Sequence, residues 1–364
     1  MTTVVLSAGG TGGHLFPAQA LAAELMRRGK KIVVMTDARG TAYDTHFPGA
    51  SIEIVPSATF ADRSKLRLMA APFEILAGIL VSLAKLARIK PRAVVGFGGY
   101  PSVPVMLAAI MARLPTAILA PDAVLGRANR LVANYVKVIA GGLPLVRYLP
   151  QDMSKVVYTG NPLRPDVIAR AGAPYRSPSA GEPLNLLVFG GSQGARALSE
   201  IVPAAVALFP GEIRSRLDIV QQCRPEDLES VRAIYTTAGV KAQLEPFFRD
   251  MPQRMAHAHL VIGRSGVGTV SELAVIGRPA ILIPYPFATD DHQTANASVL
   301  ESAGAAWLLQ QRDLTAEKLS SLLAEIFAHP DDLAKRAAAA ASLGKPDAAQ
   351  RLADVVDRIS GGAA

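Results

Sequence analysis

Apolar positions along this chain come in short runs separated by longer amphipathic stretches, and the two kinds alternate. The runs at residues 3–6, 31–35, 52–54, 93–95, 116–119 and 136–140 are rich in Val, Ile and Leu and read as strands. Between them, residues 17–28, 73–89 and 102–113 repeat their apolar side chains at helical spacing. This alternation predicts an α/β fold with a parallel sheet and right-handed crossovers, whose ligands sit at the carboxyl ends of the strands.

A second cycle of the same kind opens at Leu184. The run Asn185-Leu186-Leu187-Val188-Phe189 leads into Gly190-Gly191-Ser192-Gln193-Gly194. Residues 260–263 and 280–283 read as further strands, each running into a helix start. The tail from Asp331 is alanine-rich and helical, ending in a frayed Gly361-Gly362-Ala363-Ala364. At 364 residues the chain suits two cores rather than one. The expected division is an N-terminal domain over 1–163, a C-terminal domain over 164–340, and a terminal helix over 341–364 packing back on the first domain. Gly160-Asn161-Pro162-Leu163-Arg164-Pro165 and the turn-rich 172–183 mark the expected hinge.

The densest chemistry lies where the first strand ends. Gly9-Gly10-Thr11-Gly12-Gly13-His14 places four glycines in five positions before a helix. Helix N-termini offer unpaired N–H groups and a partial positive charge, and glycine lets a phosphate approach the backbone closely. The dinucleotide fingerprint G-x-G-x-x-G fails here, because Leu15 stands where its last glycine belongs, and no Gly-Lys-Ser/Thr loop is present. Half a chain later, Gly190–194 repeats the order of strand, paired glycines, hydroxyl residue and glycine. Two such turns, one per domain, describe a cleft for a nucleotide diphosphate.

Other candidates follow in chain order. Arg264-Ser265-Gly266-Val267-Gly268-Thr269-Val270-Ser271-Glu272 combines small residues at a helix start with a carboxylate able to accept from both hydroxyls of a ribose. Glu272 has a plainer reading as a helix-stabilising acid near the dipole's positive end. Asp290-Asp291-His292-Gln293 opens another helix, the two acids reading as helix N-terminal residues and not as ligands. No Asp-x-Asp metal clamp is visible. His14 can take a proton near neutral pH, and beside a diphosphate it becomes a candidate base. The other histidines form no metal set, and His257-x-His259 reads as structural.

Charge changes the picture of the first half. Residues 1–163 carry eighteen Lys/Arg against eight Asp/Glu, while the remainder is nearly balanced. A basic half points to an anionic partner, with nucleic acid and an anionic membrane surface both qualifying. Residues 75–84 carry no charge and are flanked by Arg63, Lys65, Arg67, Lys85, Arg88 and Lys90. That stretch is too short to span a bilayer, which takes ~20 apolar residues. It reads either as a helix buried against the sheet, which composition alone favours, or as a shallow membrane anchor. A single cysteine, Cys223, excludes an internal disulfide, no basic-then-apolar signal precedes the first strand, and a cytosolic setting is expected.

Five motifs in order, the 9–17 loop, Gly96-Phe97-Gly98-Gly99-Tyr100, Gly160-Asn161-Pro162-Leu163-Arg164, Gly190-Gly191-Ser192-Gln193-Gly194-Ala195-Arg196 and Arg264 through Glu272, closely resemble the MurG family. These are the bacterial undecaprenyl-diphospho-muramoylpentapeptide β-N-acetylglucosaminyltransferases of glycosyltransferase family 28. The likeness runs through essentially the whole chain. It implies the GT-B architecture, two Rossmann-like domains with parallel sheets facing across a cleft, the donor held mainly by the second. It also implies inverting transfer of GlcNAc from UDP-GlcNAc to the muramoyl 4-hydroxyl of lipid I, giving lipid II, with no metal and no cofactor. The implied setting is peripheral, on the cytoplasmic face of the inner membrane. Membrane docking then becomes the favoured reading of 75–84, nucleic acid drops out as a partner, and cell-wall or division machinery enters as one.

Carried over by position, the resemblance gives Thr11, Gly12 and Gly13 to a donor-contacting loop, Arg164 and Ser192 to the UDP phosphates, and Phe248 to uracil through its backbone. Val267, Gly268, Thr269, Val270 and Ser271 line the donor, Glu272 the ribose, and Gln293 contacts the donor. His14 matches the candidate general base. One departure stands out: the family's usual His-Glu-Gln-Asn is replaced by Leu119-Ala120-Pro121-Asp122. Asp122 occupies the place of an asparagine that contacts the donor sugar; it loses the amide donor, adds a negative charge and becomes a rival base. Two other readings stay open, a UDP-GlcNAc epimerase on the same fold, or a non-enzymatic nucleotide-sugar or nucleic-acid-binding protein.

Overall fold

A computed structural model of the chain describes residues 2–9, 12–37, 47–57, 65–145, 147–148, 150–179, 181–191 and 194–361, with the side chains of 12 and 65–72 outside that description. The chain divides into two compact units, one formed by Met1–Arg164 with Pro346–Ala364 and the other by Pro165–Lys345.

In the first unit the apolar runs become β1 (Thr3–Ser7), β2 (Lys31–Thr36), β3 (Ser51–Ile54), β4 (Ala93–Gly96), β5 (Thr116–Ala120), β6 (Val138–Gly141) and β7 (Val156–Tyr158). All pair in parallel, in the order β3-β2-β1-β4-β5-β6-β7. Helices α1 (Gly12–Arg27), α2 (Lys65–Ile89), α3 (Ser102–Met111) and α4 (Arg127–Val132) make the crossovers. Alternate residues of each strand serve opposite faces, so both faces must be apolar and both are covered. Val4, Leu6, Ile32, Val34 and Val95 pack on one side with Leu15, Leu21 and Leu25 of α1. Val5, Val33, Met35 and Val94 pack on the other with Val105, Met106 and Leu86.

The second unit opens with α5 (Pro165–Ile168) and repeats the plan. Its elements are β8 (Leu184–Phe189), α6 (Arg196–Ala207), α7 (Gly211–Arg214), β9 (Leu217–Gln222), α8 (Leu228–Thr237), β10 (Lys241–Glu245), α9 (Met251–His257), β11 (Leu260–Gly263), α10 (Val267–Ile276), β12 (Ala280–Leu282), α11 (His292–Ser302), β13 (Ala306–Leu308), α12 (Ala316–Ala328) and α13 (Pro330–Leu343). The parallel order is β10-β9-β8-β11-β12-β13. The last helix, α14 (Ala348–Ile359), returns to the first unit, where Leu352, Ala353 and Val356 join the core beside α1.

Strand order reverses between β1 and β4 in one sheet and between β8 and β11 in the other. A crevice opens at the carboxyl ends of the strands where the order reverses, because successive crossovers leave to opposite faces. Each glycine turn lies at one of these points.

Two helix starts differ from the sequence reading. The helix expected from Pro17 begins at Gly12, with Pro17 inside it. Gly12 and Gly13 already follow the helical path, although glycine carries no helical signature. The helix expected from Phe73 begins at Lys65. On α2, Gly78, Ser82 and Leu86 are buried, Leu86 within the core beneath the sheet, while Phe73, Leu76 and Leu80 stand 75%, 54% and 59% exposed. The buried reading of this helix holds for one face, and the other is apolar and exposed. No helix among the described residues is long and apolar enough to cross a membrane.

Candidate functional site

In the first unit the carboxyl ends of β1, β4 and β5, three neighbouring strands, bring the chemistry together. Because α1 starts at Gly12, Gly13 and His14 lie in its first turn, where helical N–H groups have no partner within the helix. The His14 ring lies against the turn after β4. A Cβ on Gly98 would come 3.3 Å from its Cε1, and one on Gly99 would come 3.5 Å from its Cδ2 and 3.0 Å from the Gly9 carbonyl. Both glycines have positive φ, +84° and +74°, so neither space nor backbone admits a side chain. Burial lowers the His14 pKa, while the Asp122 carboxylate and the Phe97 backbone push it upward. The balance falls below 6.5, which leaves the imidazole neutral and able to accept a proton at neutral pH.

Asp122 follows β5 and the buried Pro121 and is itself half-buried. Asn129 of α4 is buried, and its amide donates to the Leu119 carbonyl at 2.8 Å. Its Oδ1 would lie 3.6 Å from a Cβ on Gly98, so this residue braces the same corner. The sequence reading gave Asn129 no role. Arg164 is half-buried with its guanidinium 5.3 Å from the Phe16 ring centre, which places it beside the first turns of α1. Thr11 lies outside the described residues, and Gly12 is described by its backbone alone.

In the second unit the turn after β8 is tight. A Cβ on Gly190 would fall 2.4 Å from the Ala195 nitrogen, and Gly191 and Gly194 have positive φ. Ser192, the expected phosphate contact, lies outside the described residues. After β11 the chain passes through Arg264, Ser265 and Gly266 into α10, and a Cβ on Gly266 or Gly268 would meet nothing within 4 Å. That open backbone lies at the N-terminus of a ten-residue helix. The side chains of Val267, Val270 and Ser271 turn into the core, which leaves these positions their backbone for a ligand; Thr269 and Glu272 are half-buried. Phe248 is buried under the Arg254 guanidinium, 4.3 Å from the ring centre, consistent with a position whose side chain packs.

Gln293 is the second residue of α11, and its Oε1 accepts from the Tyr285 N–H at 3.0 Å. Its own carbonyl accepts from the Ser265 hydroxyl at 2.8 Å, and Asn296 donates to the Ser265 carbonyl at 3.2 Å. These bonds lock the start of α11 to the segment that leads into α10. Asp290 and Asp291 adopt left-handed conformations just before α11. Arg264 is buried and donates to the Ile283 and Pro284 carbonyls at 3.0 Å and to Gln311 at 2.6 Å, so it shapes the loop after β12. His259 accepts from the Asn185 N–H at 3.0 Å, a structural bond. Among the described residues no group of three His, Cys, Asp or Glu could hold a metal ion.

Residues 4–140 match the glycosyltransferase family 28 N-terminal domain, and residues 185–352 match the family 28 C-terminal domain. The chain belongs to glycosyltransferase family 28. It is 52% identical to a protein of a Chelativorans species over 99% of this chain and 96% of that one. With a Paramagnetospirillum magneticum protein the identity is 49% over 97% and 95%. Both are named UDP-N-acetylglucosamine–N-acetylmuramyl-(pentapeptide) pyrophosphoryl-undecaprenol N-acetylglucosamine transferase. The crystal structure of MurG from Acinetobacter baumannii superposes with a TM-score of 0.82 at 31% identity, covering 98% of this chain and all of that one. A UDP-GlcNAc 2-epimerase from Neisseria meningitidis reaches a TM-score of 0.68 at 12% identity, a likeness of fold alone.

Proposed function

We propose that this family 28 enzyme transfers GlcNAc from UDP-GlcNAc to the muramoyl 4-hydroxyl of lipid I, forming lipid II. Near-full-length identity to relatives named for that reaction carries the reading. The site residues support it. On the second unit, the open N-terminus of α10 and the 190–194 turn, with Ser192, offer N–H groups and a hydroxyl to the diphosphate. Glu272 accepts from the ribose hydroxyls, the Phe248 backbone meets uracil, and Gln293 meets the sugar. On the first unit, Thr11, Gly12, Gly13 and Arg164 offer N–H groups and positive charge to a phosphate.

The chemistry follows from these positions. The acceptor 4-oxygen attacks the anomeric carbon from the face opposite UDP, which inverts the centre. Its proton passes to His14, while the bond from the anomeric carbon to the β-phosphate oxygen breaks and its electron pair leaves with UDP. Oriented N–H groups and Arg164 stabilise the charge that develops on the leaving diphosphate. Neutral His14 is in the protonation state that can take the proton.

The enzyme works as a peripheral protein at the cytoplasmic membrane surface. Phe73, Leu76 and Leu80 form an exposed apolar row on α2, the geometry of a helix lying in the interface plane. Lys85 and Arg88 pair with Glu53 of β3, so these two flanking cations are held by the protein. Transfer of label from UDP-GlcNAc to a short-chain lipid I analogue tests the reaction.

A further inference from the structure

We propose that Phe16 is the positioning residue of Arg164, an aromatic face on α1 that holds the guanidinium ready for the donor's diphosphate. The inference rests on the reading that Arg164 is a phosphate ligand.

Phe16 is the fifth residue of α1. Leu15 before it is 6% exposed and packs in the core beside β1, whereas Phe16 stands 41% exposed. A helical side chain leans toward the N-terminus, over the residues three and four positions earlier. For Phe16 those are Gly13 and Gly12, which offer only backbone beneath the ring. A ring exposed to this degree contributes little to the core. The Arg164 guanidinium meets it, 5.3 Å from the ring centre. That separation lies within the ~6 Å over which the negative face of a ring attracts a cation.

The chain around Arg164 shows why such a contact matters. Residues 159–163 are buried, and the Thr159 and Gly160 N–H groups donate to the Gly141 carbonyl at 3.0 and 3.2 Å, so the backbone is tied to the sheet just before Arg164 emerges. Pro165 then biases the Arg164 backbone toward extended conformations. The backbone is set, but an arginine side chain is among the costliest to order. A guanidinium can meet a ring through its planar face and keep its N–H donors for an anion. Phe16 therefore lowers the ordering cost of phosphate binding and keeps the cation beside the first turn of α1, whose N–H groups suit the same ligand. Leucine at this position would fill similar space without the quadrupole that attracts the cation.

The test is a double-mutant cycle, read by calorimetric titration of UDP into the full chain. It compares wild type, Phe16→Leu, Arg164→Ala and the double variant. Phe16→Leu is expected to weaken UDP binding about threefold, the scale of a cation–π contact at a half-exposed site. Arg164→Ala should weaken it roughly 10- to 100-fold, the scale of hydrogen bonds to a charged group, and in that background Phe16→Leu should change nothing further. Phe16→Tyr keeps the ring and should bind UDP as the wild type does, and kcat with a lipid I analogue should follow the same order. An equal loss from Phe16→Leu in both backgrounds, or no loss in either, overturns the positioning role, because a ring that merely packs on α1 acts independently of Arg164. Unchanged UDP affinity in Arg164→Ala overturns the reading of Arg164 as a phosphate ligand, and the proposal with it. Coupled losses in a protein that transfers no GlcNAc uphold the pair and overturn the transferase reading instead.

Discussion

Arg28, just past the end of α1, donates to Asp354 of α14 at 2.6 Å, joining residues 326 positions apart. The same guanidinium reaches Asp357 at 2.9 Å and Glu24 at 2.7 Å, and Lys30 pairs with Asp357 at 2.8 Å. Arg28→Ala leaves a partly buried carboxylate cluster short of its shared cation. We expect it to lower stability by ~1–3 kcal/mol in urea melts at pH 7. The cluster also sets an acid limit. Hydrogen bonds from Arg27 hold the Glu24 carboxyl at about 2, helped by Arg28 and opposed by burial. A depressed carboxylate stabilises fully above its unfolded value near 4.5, and that contribution is lost as pH falls toward 2. Urea midpoints should drop between pH 5 and 2, and Glu24→Gln should flatten that drop.

Arg278 is 1% exposed and donates to the carbonyls of Ala173, Pro174, Ala256, Ile276 and Gly277. It ties the segment before β8 to α9 and α10 with one side chain, stacked 5.4 Å from Tyr175. Arg278→Met keeps the volume and strands those carbonyls, so thermal melts should show a loss of ~2–4 kcal/mol. Lysine reaches too few of the carbonyls to restore it.

Glu272→Ala should raise the KM for UDP-GlcNAc roughly 10- to 100-fold, the worth of two charge-assisted hydrogen bonds, with a smaller effect on kcat. Glu272→Gln should fall between. Initial rates at saturating lipid I analogue check this, and an unchanged KM removes Glu272 from the donor site.

Leu76→Glu with Leu80→Glu changes two exposed positions on α2, so folding and UDP binding should be intact while sedimentation with anionic vesicles is lost. Ile79, one residue away, packs against the core and would confound the same experiment. Vesicle binding by the double variant at the wild-type level would remove this face as the anchor.

What could be read in the sequence was local. The strands of both sheet centres are continuous apolar runs, and the glycine turns announce themselves because φ and close approach are properties of single residues. The edge strand β10, Lys-Ala-Gln-Leu-Glu, escaped notice because only Leu244 is buried and its pattern is that of a solvated surface. The start of α1 lay outside the apolar repeat because Gly12 and Gly13 carry no helical signature. Arg278, Arg264 and Asn129 owe their roles to carbonyls distant in sequence, which no local pattern encodes.

Radiolabelled UDP-GlcNAc, incubated with the full chain and a short-chain lipid I analogue, tests the central claim most directly. The account predicts acceptor-dependent label in the lipid product, one β-linked GlcNAc per muramoyl residue, and one UDP released for each. Consumption of UDP-GlcNAc without acceptor, yielding an isomeric sugar nucleotide, or no labelled lipid at all, would contradict it.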